Sequence, residues 1–305
     1  MQPSGIIDLF GSLVLPKRYK GSPLRYAGGK SLAVQYILPL IPSHIKELVS
    51  PFFGGGSVEI AIANELNIHV IGYDIFDLLV NYWNVQIQFP LKLADELEKL
   101  DNTKDEYEKV KEILKSIWNK KEGLLANDYS ALQLATYYYY NHNLSYGPGF
   151  LGWMSSNYLN KNKYLSMIEK VREFSCNNNL QVFNDDFKNV LPRHNGTFMY
   201  LDPPYFLEGD SKMFKGIYPM RNFPIHHNGF NHSLLSDLLH EHRGGFVLSY
   251  NDCSWVRENY KDFEIKEVSW QYTMGQGETR IGKNRKERDY DNGNVKHSHE
   301  LLIIG

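Results

Sequence analysis

Apolar residues recur along this chain with two periods, and their alternation sets the first expectation for the fold. Short runs at Ile45 to Val49, His69 to Tyr73, Leu180 to Phe183, Phe198 to Leu201 and Phe246 to Asp252 are mostly apolar and read as buried strands. Phe263 to Trp270 and His299 to Ile304 read as two more. Between them, Ser31 to Leu40, Val58 to Glu65, Leu78 to about Ile87 and His232 to His242 read as helices. Strand and helix in alternation indicate an α/β core. From Pro90 to roughly Tyr164 that rhythm breaks. Leu91 to Leu100 and Glu106 to Trp118 carry apolar residues at helical spacing among many charges, as amphipathic surface helices do, and Leu132 to His142 reads as a third helix. Two lobes are therefore expected, with an irregular insertion between two stretches of α/β chain.

The polar residues at the strand ends carry the candidate chemistry. Phe198 to Leu201 runs into Asp202-Pro203-Pro204-Tyr205. Proline has no backbone donor and a fixed φ, so two in succession stop the ladder and hold the chain in a stiff turn. An acid, a carbonyl and an aromatic ring are thereby delivered to the carboxyl end of a strand, where open α/β sheets bind ligands. The same residues also describe a strand followed by a solvated Pro-Pro loop, and the motif alone leaves both readings open. The strand at Ile45 leads into Ser50-Pro51-Phe52-Phe53-Gly54-Gly55-Gly56-Ser57, a glycine turn that lets backbone approach a ligand closely. Asp74 follows Gly54 by 20 residues, at the tip of the next strand, where an acid can accept hydrogen bonds from both ribose hydroxyls. That spacing favours an adenosine-type cofactor over a purely structural turn. Upstream, Tyr26-Ala27-Gly28-Gly29-Lys30 lacks the earlier glycine and the strand that a nucleotide-triphosphate loop requires.

Composition narrows the partners without naming them. The 305 residues contain 33 Lys and Arg against 35 Asp and Glu, so any contact with nucleic acid rests on local patches. Candidates are Lys161, Lys163, Lys170 and Arg172, the loop from Phe206 to Asn231 with Lys212, Lys215 and Arg221, and the segment with Arg280, Lys283, Arg285, Lys286 and Arg288. The stretch Asn141 to Trp153, rich in amides, glycine and aromatics, suits a flexible loop that wedges and stacks against bases, or one packed on its own lobe. Cys176 and Cys253 form no Cys-x-x-Cys pair, and the adjacent His226 and His227 point different ways without an accompanying carboxylate spacing, so no metal is expected. No apolar run approaches the roughly 20 residues of a membrane span, and Ile6 to Leu15 lacks a basic flank, so a cytoplasmic protein is expected.

Taken in order, the Tyr-Ala-Gly-Gly-Lys at Tyr26, the Pro-Phe-Phe-Gly-Gly-Gly-Ser at Pro51, Asp74, the insertion, Asp202-Pro203-Pro204-Tyr205, the Leu-Ser-Tyr-Asn at Leu248 and the terminal Glu-Leu-Leu-Ile at Glu300 resemble the Dam-like family of DNA adenine-N6 methyltransferases. The resemblance covers nearly the whole chain and is weakest in the insertion. It implies a Rossmann-like S-adenosylmethionine methyltransferase fold, with a mainly parallel seven-stranded sheet and an antiparallel last strand, the strands at Phe263 to Trp270 and Glu300 to Ile304 together forming that antiparallel edge. It also implies a catalytic domain from 1–89 and 166–305, and a mostly helical target-recognition domain at 90–165. Tyr26 and Lys30 would border the methionine part of the cofactor, Phe52, Gly54 and Gly56 would shape the turn beneath it, Asp74 would bind the ribose, and Asp186 and Phe187 the adenine. Asp202, Pro203, Pro204 and Tyr205 would receive a target adenine flipped out of double-stranded DNA.

The residue types suit that chemistry. An exocyclic adenine amine is a poor nucleophile, and acceptors at Asp202 and the Pro203 carbonyl would localise its lone pair while Tyr205 stacks on the ring. No covalent intermediate is needed, and neither cysteine lies in a motif for cytosine carbon-5 chemistry. An acid at position 202 favours adenine over cytosine N4 enzymes, which more often resemble Ser-Pro-Pro-Tyr, and over glutamine enzymes, which resemble Asn-Pro-Pro-Tyr. An RNA adenine, or a DNA-binding relative that has lost catalysis, remains as an alternative. The expected form is a monomer, with any partner restriction enzyme a separate chain.

Overall fold

Strands that are apolar on both faces need cover on both, and the computed structural model supplies it; it describes residues 6–7, 13–14, 19, 21–26, 28–119, 129–147, 149–176, 179–206, 230–268 and 300–305. Seven strands form one sheet: β1 (Glu47–Ser50), β2 (His69–Asp74), β3 (Leu180–Asn184), β4 (Met199–Leu201), β5 (Phe246–Asn251), β6 (Glu264–Val268) and β7 (Glu300–Ile304). Their order across the sheet is β3-β2-β1-β4-β5-β7-β6. β1 pairs in parallel with β2 and β4, β2 with β3, and β4 with β5. β7 runs antiparallel to both β5 and β6. The last strand is thus antiparallel and forms one edge of the sheet together with β6, as expected; within that edge β7 lies inside, beside β5, and β6 is outermost. The side chains explain this order. Four residues of β7 are buried, whereas β6 alternates half-buried Ile265 with exposed Lys266 and Glu267, a pattern that protects an open sheet edge. Ile6–Ile7 and Leu13–Val14 form a separate short antiparallel pair.

Period-two alternation sorts the strand residues between two apolar layers. Leu48, Val70, Tyr200, Val247 and Leu302 face one core, and Val49, Met199, Leu201, Phe246, Leu248, Leu301 and Ile303 face the other. The second layer is closed by α8 (Phe187–Arg193), α9 (His232–His240) and α10 (Ser254–Asn259), through Val190, Leu191, Leu235, Leu239 and Val256. The first is closed by α1 (Val34–Ile37), α2 (Ser57–Glu65) and α3 (Asp77–Gln88). The run from Ser31 to Leu40 is helical only from Val34, and Pro39 turns its end into a 3-10 segment, Leu38–Leu40.

α4 (Pro90–Glu98), α5 (Lys104–Asn119) and α6 (Ala131–Leu144) fall within the stretch expected as an insertion, and the unanticipated α7 (Lys161–Arg172) runs across its expected end at 165. Tyr107, Val110, Leu114 and Ile117 give α5 one buried stripe. α6 is buried nearly all round, and the hydroxyls of Tyr139 and Tyr140 are satisfied by backbone carbonyls. Tyr139 donates to Pro23 at 3.1 Å and Met167 at 3.2 Å, and Tyr140 to Asp101 at 2.5 Å. These helices share the apolar layer that covers β1 and β2. None of the described helices is long and apolar enough to cross a membrane.

Candidate active site

β1 sits at the point where the strand order reverses, with β2 on one side and β4 on the other, and ligand crevices of open α/β sheets form at such a place. The chain leaving β1 makes the glycine turn. Gly54 and Gly56 have φ of 47° and 66°, a region costly for other residues. A Cβ on Gly55 would lie 2.5 Å from the Tyr26 Cβ, so a bare backbone lets the Tyr26 ring lie on the turn. Tyr26 is held in turn by the insertion: it stacks on His142 with centroids 5.6 Å apart, and the preceding Arg25 backbone amide donates to Asn143 Oδ1 at 2.8 Å.

Asp74, at the end of β2, fastens the turn. Its Oδ2 accepts from the Gly54 amide at 2.9 Å and its Oδ1 from the Phe76 amide at 2.9 Å. Burial raises its carboxyl above the usual range, and these backbone donors pull it back. From β3, Asp186 caps α8 and Phe187 follows it; Phe187 packs against Phe52 at 5.5 Å and Phe230 at 5.0 Å. Tyr26, the glycine turn, Phe52, Asp74, Asp186, Phe187 and Phe230 line one cleft of about 410 Å3, within the ordinary size of small-molecule sites. The cleft is apolar along Phe52, Phe187, Ile75 and Phe230 and acidic at Asp74 and Asp186.

At its other end the cleft reaches Asp202, where β4 stops. Lys30 Nζ pairs with Asp202 Oδ1 at 2.9 Å, donates to the Tyr205 hydroxyl at 2.5 Å and lies 3.6 Å from Glu300 Oε2. Tyr205 donates to Glu300 Oε2 at 2.5 Å. Lys30 is 4% exposed and Glu300 1%, while Asp202 keeps 23%, so of the three the acid at the strand end is the most open. Burial alone would lower the Lys30 ammonium, but Asp202 and Glu300 outweigh it and hold it above its ordinary range. Burial raises Asp202, with Lys30 opposing. It also pushes Glu300 up to about 7, again against Lys30. Beside this cluster Glu59 accepts from Ser50 Oγ at 2.6 Å, and burial pushes it up to about 8.

A glycine turn, an acid on the next strand and an Asp-Pro-Pro-Tyr end thus share one cleft. The sequence pattern of the D12 class N6 adenine-specific DNA methyltransferases matches residues 26–274. The chain belongs to this family. Two curated relatives accompany the match. The chain is similar to the modification methylase StsI of Streptococcus sanguinis, 26% identical over 94% of this chain and 43% of that one, and to the type II methyltransferase M1.LlaDCHI of Lactococcus lactis subsp. cremoris, 25% identical over 85% of this chain and 91% of that one. It therefore spans less than half the length of the first relative and nearly all of the second. A solved S-adenosylmethionine-dependent methyltransferase from Agrobacterium tumefaciens aligns with 98% of this chain and 75% of its own at 11% identity, with a TM-score of 0.34.

In this D12-class methyltransferase, Tyr26, Lys30, Phe52, Gly54, Gly56, Asp74, Asp186, Phe187, Asp202 and Pro204 all line the cleft. Pro203 and Tyr205 are buried beside it, and the Tyr205 ring is 3% exposed, with its hydroxyl occupied. Sequence reasoning assigned no role to Glu59, Ile75, Tyr200 or Phe230, which also line the cleft, nor to Glu300. A charge heading the otherwise apolar run Glu300 to Ile304 was the available signal for the last. The Asn141 to Trp153 stretch is no open loop: it closes α6 and a hairpin in which Ser145 bridges Met154 and the Tyr146 amide donates to the Trp153 carbonyl at 2.5 Å. Phe150 and Leu151 are buried, while Tyr146 and Trp153 project outward. Lys17, Arg18, Lys20, Ala27, Lys212, Lys215, Arg221, His226, His227 and the basic residues from Arg280 to Arg288 lie outside the described residues.

Proposed function

We propose that the protein transfers a methyl group from S-adenosylmethionine to the N6 amine of an adenine flipped out of duplex DNA. The observation that carries this reading is that Asp202, held by Lys30, opens into the same cleft as the glycine turn and Asp74. The cleft suits the cofactor: bare glycine backbone under Tyr26 at one end, and an acid beside an apolar wall of Ile75, Phe52 and Phe187 at the other. Asp74 would hold the ribose, Asp186 and Phe187 the adenine, and Tyr26, Lys30, Phe52, Gly54 and Gly56 the remainder. When bound, the cofactor supplies an electrophilic methyl on a sulfonium.

Asp202 and the Pro203 carbonyl accept the two amine hydrogens, which concentrates the lone pair on nitrogen and stabilises the positive charge that develops there. Preorganisation by Lys30 means that Asp202 does not reorient during the step. Pro204 shapes the mouth. In this conformation the Tyr205 ring is covered, so stacking on the base calls for its displacement; its hydroxyl contacts give it a second task in fixing Lys30. The sheet with its flanking helices, 1–89 and 166–305, would form the catalytic part, and 90–165 the part that recognises the target, with Tyr146 and Trp153 turned outward to meet bases. Lys111, 5.3 Å above the Trp153 ring, adds a cation on that surface. Such an enzyme acts as a monomer in the cytoplasm, as the modification half of a restriction-modification pair.

The test is expression in a host free of DNA methylation, followed by modification-sensitive sequencing. N6-methyladenine in one enriched motif is the expected result. Cytosine N4 marks, or methylated RNA with unmarked DNA, would replace this reading.

A further inference from the structure

Glu300 belongs to no motif that carries the methyl-transfer chemistry, yet it ends a directed chain of hydrogen bonds that begins at Asp202. Lys30 Nζ, paired with Asp202 at 2.9 Å, donates to Tyr205, and Tyr205 donates to Glu300 Oε2, each at 2.5 Å. Lys30 thus donates both to Asp202 at the cleft and to Tyr205 behind it, and the Tyr205 donor points on to Glu300. We propose that Glu300 takes up the proton that the target amine must lose, relayed through Asp202, Lys30 and Tyr205. The inference rests on the methyltransferase reading and adds a destination for the proton.

The step balances. The N6 lone pair forms the new C–N bond, the electrons of the C–S bond pass to sulfur, and one N6 proton goes to Asp202. Asp202 returns it to Lys30 as Lys30 passes one to the Tyr205 oxygen and Tyr205 passes its own to Glu300. Lys30 stays an ammonium, Tyr205 a neutral phenol and Asp202 a carboxylate, and the net change is one proton on Glu300. Burial raises the Glu300 carboxyl to about 7, which suits a group that must gain and lose a proton near neutrality. Among the described residues it faces Lys30 at 3.6 Å, the Tyr205 hydroxyl, and Ser249 Oγ on β5 at 3.4 Å; Tyr200 on β4 and Asp202 just after it lie within electrostatic reach. On β5, Asn251 is its register partner. Glu300 acts through Tyr205 and Lys30 and is a positioning residue.

The test is the single-turnover rate of methyl transfer to a DNA duplex as a function of pH, for the wild type, Glu300→Gln and Tyr205→Phe. In the wild type the rate falls on the acid side as Glu300 fills with a proton. Glu300→Gln keeps an acceptor for Tyr205 but cannot take the proton, so the part of that limb due to Glu300 is expected to vanish, leaving that of Asp202, and the plateau to drop about tenfold or more. Tyr205→Phe cuts the relay while leaving Glu300 in place, and the same flattening is expected. The double variant should be no slower than the worse single one, because both break one path. If Glu300→Gln does not fold, Tyr205→Phe carries the same expectation. Because Asp202 titrates in every variant, the plateau decides: a wild-type plateau rate in either variant overturns the relay while leaving the methyltransferase reading intact. A wild type that methylates no adenine overturns both.

Discussion

Replacing Lys30 by methionine removes a buried charge at nearly constant volume and exposes what that charge does. The ammonium lies 2.9 Å from Asp202 and 3.6 Å from Glu300, so the two carboxylate oxygens are within about 6.5 Å of each other. At an effective dielectric constant of about 20, two negative charges at that distance repel by about 2.5 kcal/mol. Deleting one partner of a buried ion pair costs about 3–5 kcal/mol for the charge left behind. Proton uptake sets a ceiling: an acid left without its cation rises in pKa and can be neutral in the folded state. We therefore expect Lys30→Met to destabilise by about 3 kcal/mol in neutral or weakly alkaline solution. The pH dependence follows from linkage. In the variant both acids have folded pKa values above their unfolded ones, so the folded chain binds more protons, and the penalty grows as pH rises above the unfolded carboxylate range and shrinks in mild acid. Urea unfolding of both proteins at several pH values measures this directly. A penalty below about 1 kcal/mol, or one that does not change with pH, would refute the view that Lys30 is the counter-charge of this cluster.

Other substitutions separate the two ends of the cleft. Asp202→Ala is expected to lower methyl transfer by about a thousandfold, the scale of a lost transition-state acceptor, while cofactor affinity in calorimetry stays within a few-fold; a variant with wild-type rate in a labelled-methyl assay would show that the acid does not touch the target amine. Asp74→Ala should do the reverse, weakening cofactor binding by about tenfold or more through lost charged hydrogen bonds and a loosened Gly54 amide, and unchanged affinity would remove it from the cofactor site. Trp153 is 81% exposed, so Trp153→Ala should leave the melting transition within about 0.5 kcal/mol of wild type but reduce DNA affinity by about 1–3 kcal/mol in a fluorescence titration, if the ring stacks on a base. Equal DNA affinity would make the hairpin an ordinary surface feature.

Much of this protein is written locally. The apolar runs at Val49, Val70, Tyr200 and Leu248 are each confined to a few residues and bounded by glycine, proline or acid, so strand identity and the polar strand ends could be read without knowing any neighbour. The glycine turn and Asp74 were legible because their separation is set by one strand-helix-strand unit, and the hydrogen bond from Gly54 to Asp74 is that spacing made physical. Pairing order was another matter. That β7 enters between β5 and β6 depends on which strand can bury both faces, a comparison between segments far apart in the chain. The insertion reads as a lobe of charged amphipathic helices, yet Tyr139 and Tyr140 of α6 have their partners at Pro23, Asp101 and Met167, and their burial follows from contacts that helical periodicity does not contain.

The candidate site divides in the same way. The sequence by itself determined the acid at the end of β4, the glycine turn and the acid on β2, because each is a short-range device of backbone geometry. Only the tertiary structure decided what surrounds Asp202. Lys30, Tyr205 and Glu300 come from three separate parts of the chain, and nothing in their local sequence states that they meet. They meet because β7 pairs beside β5 while the segment before α1 crosses the sheet's carboxyl edge. Once buried together, their charges are fixed by one another: the ammonium offsets two acids that burial would otherwise drive toward neutrality.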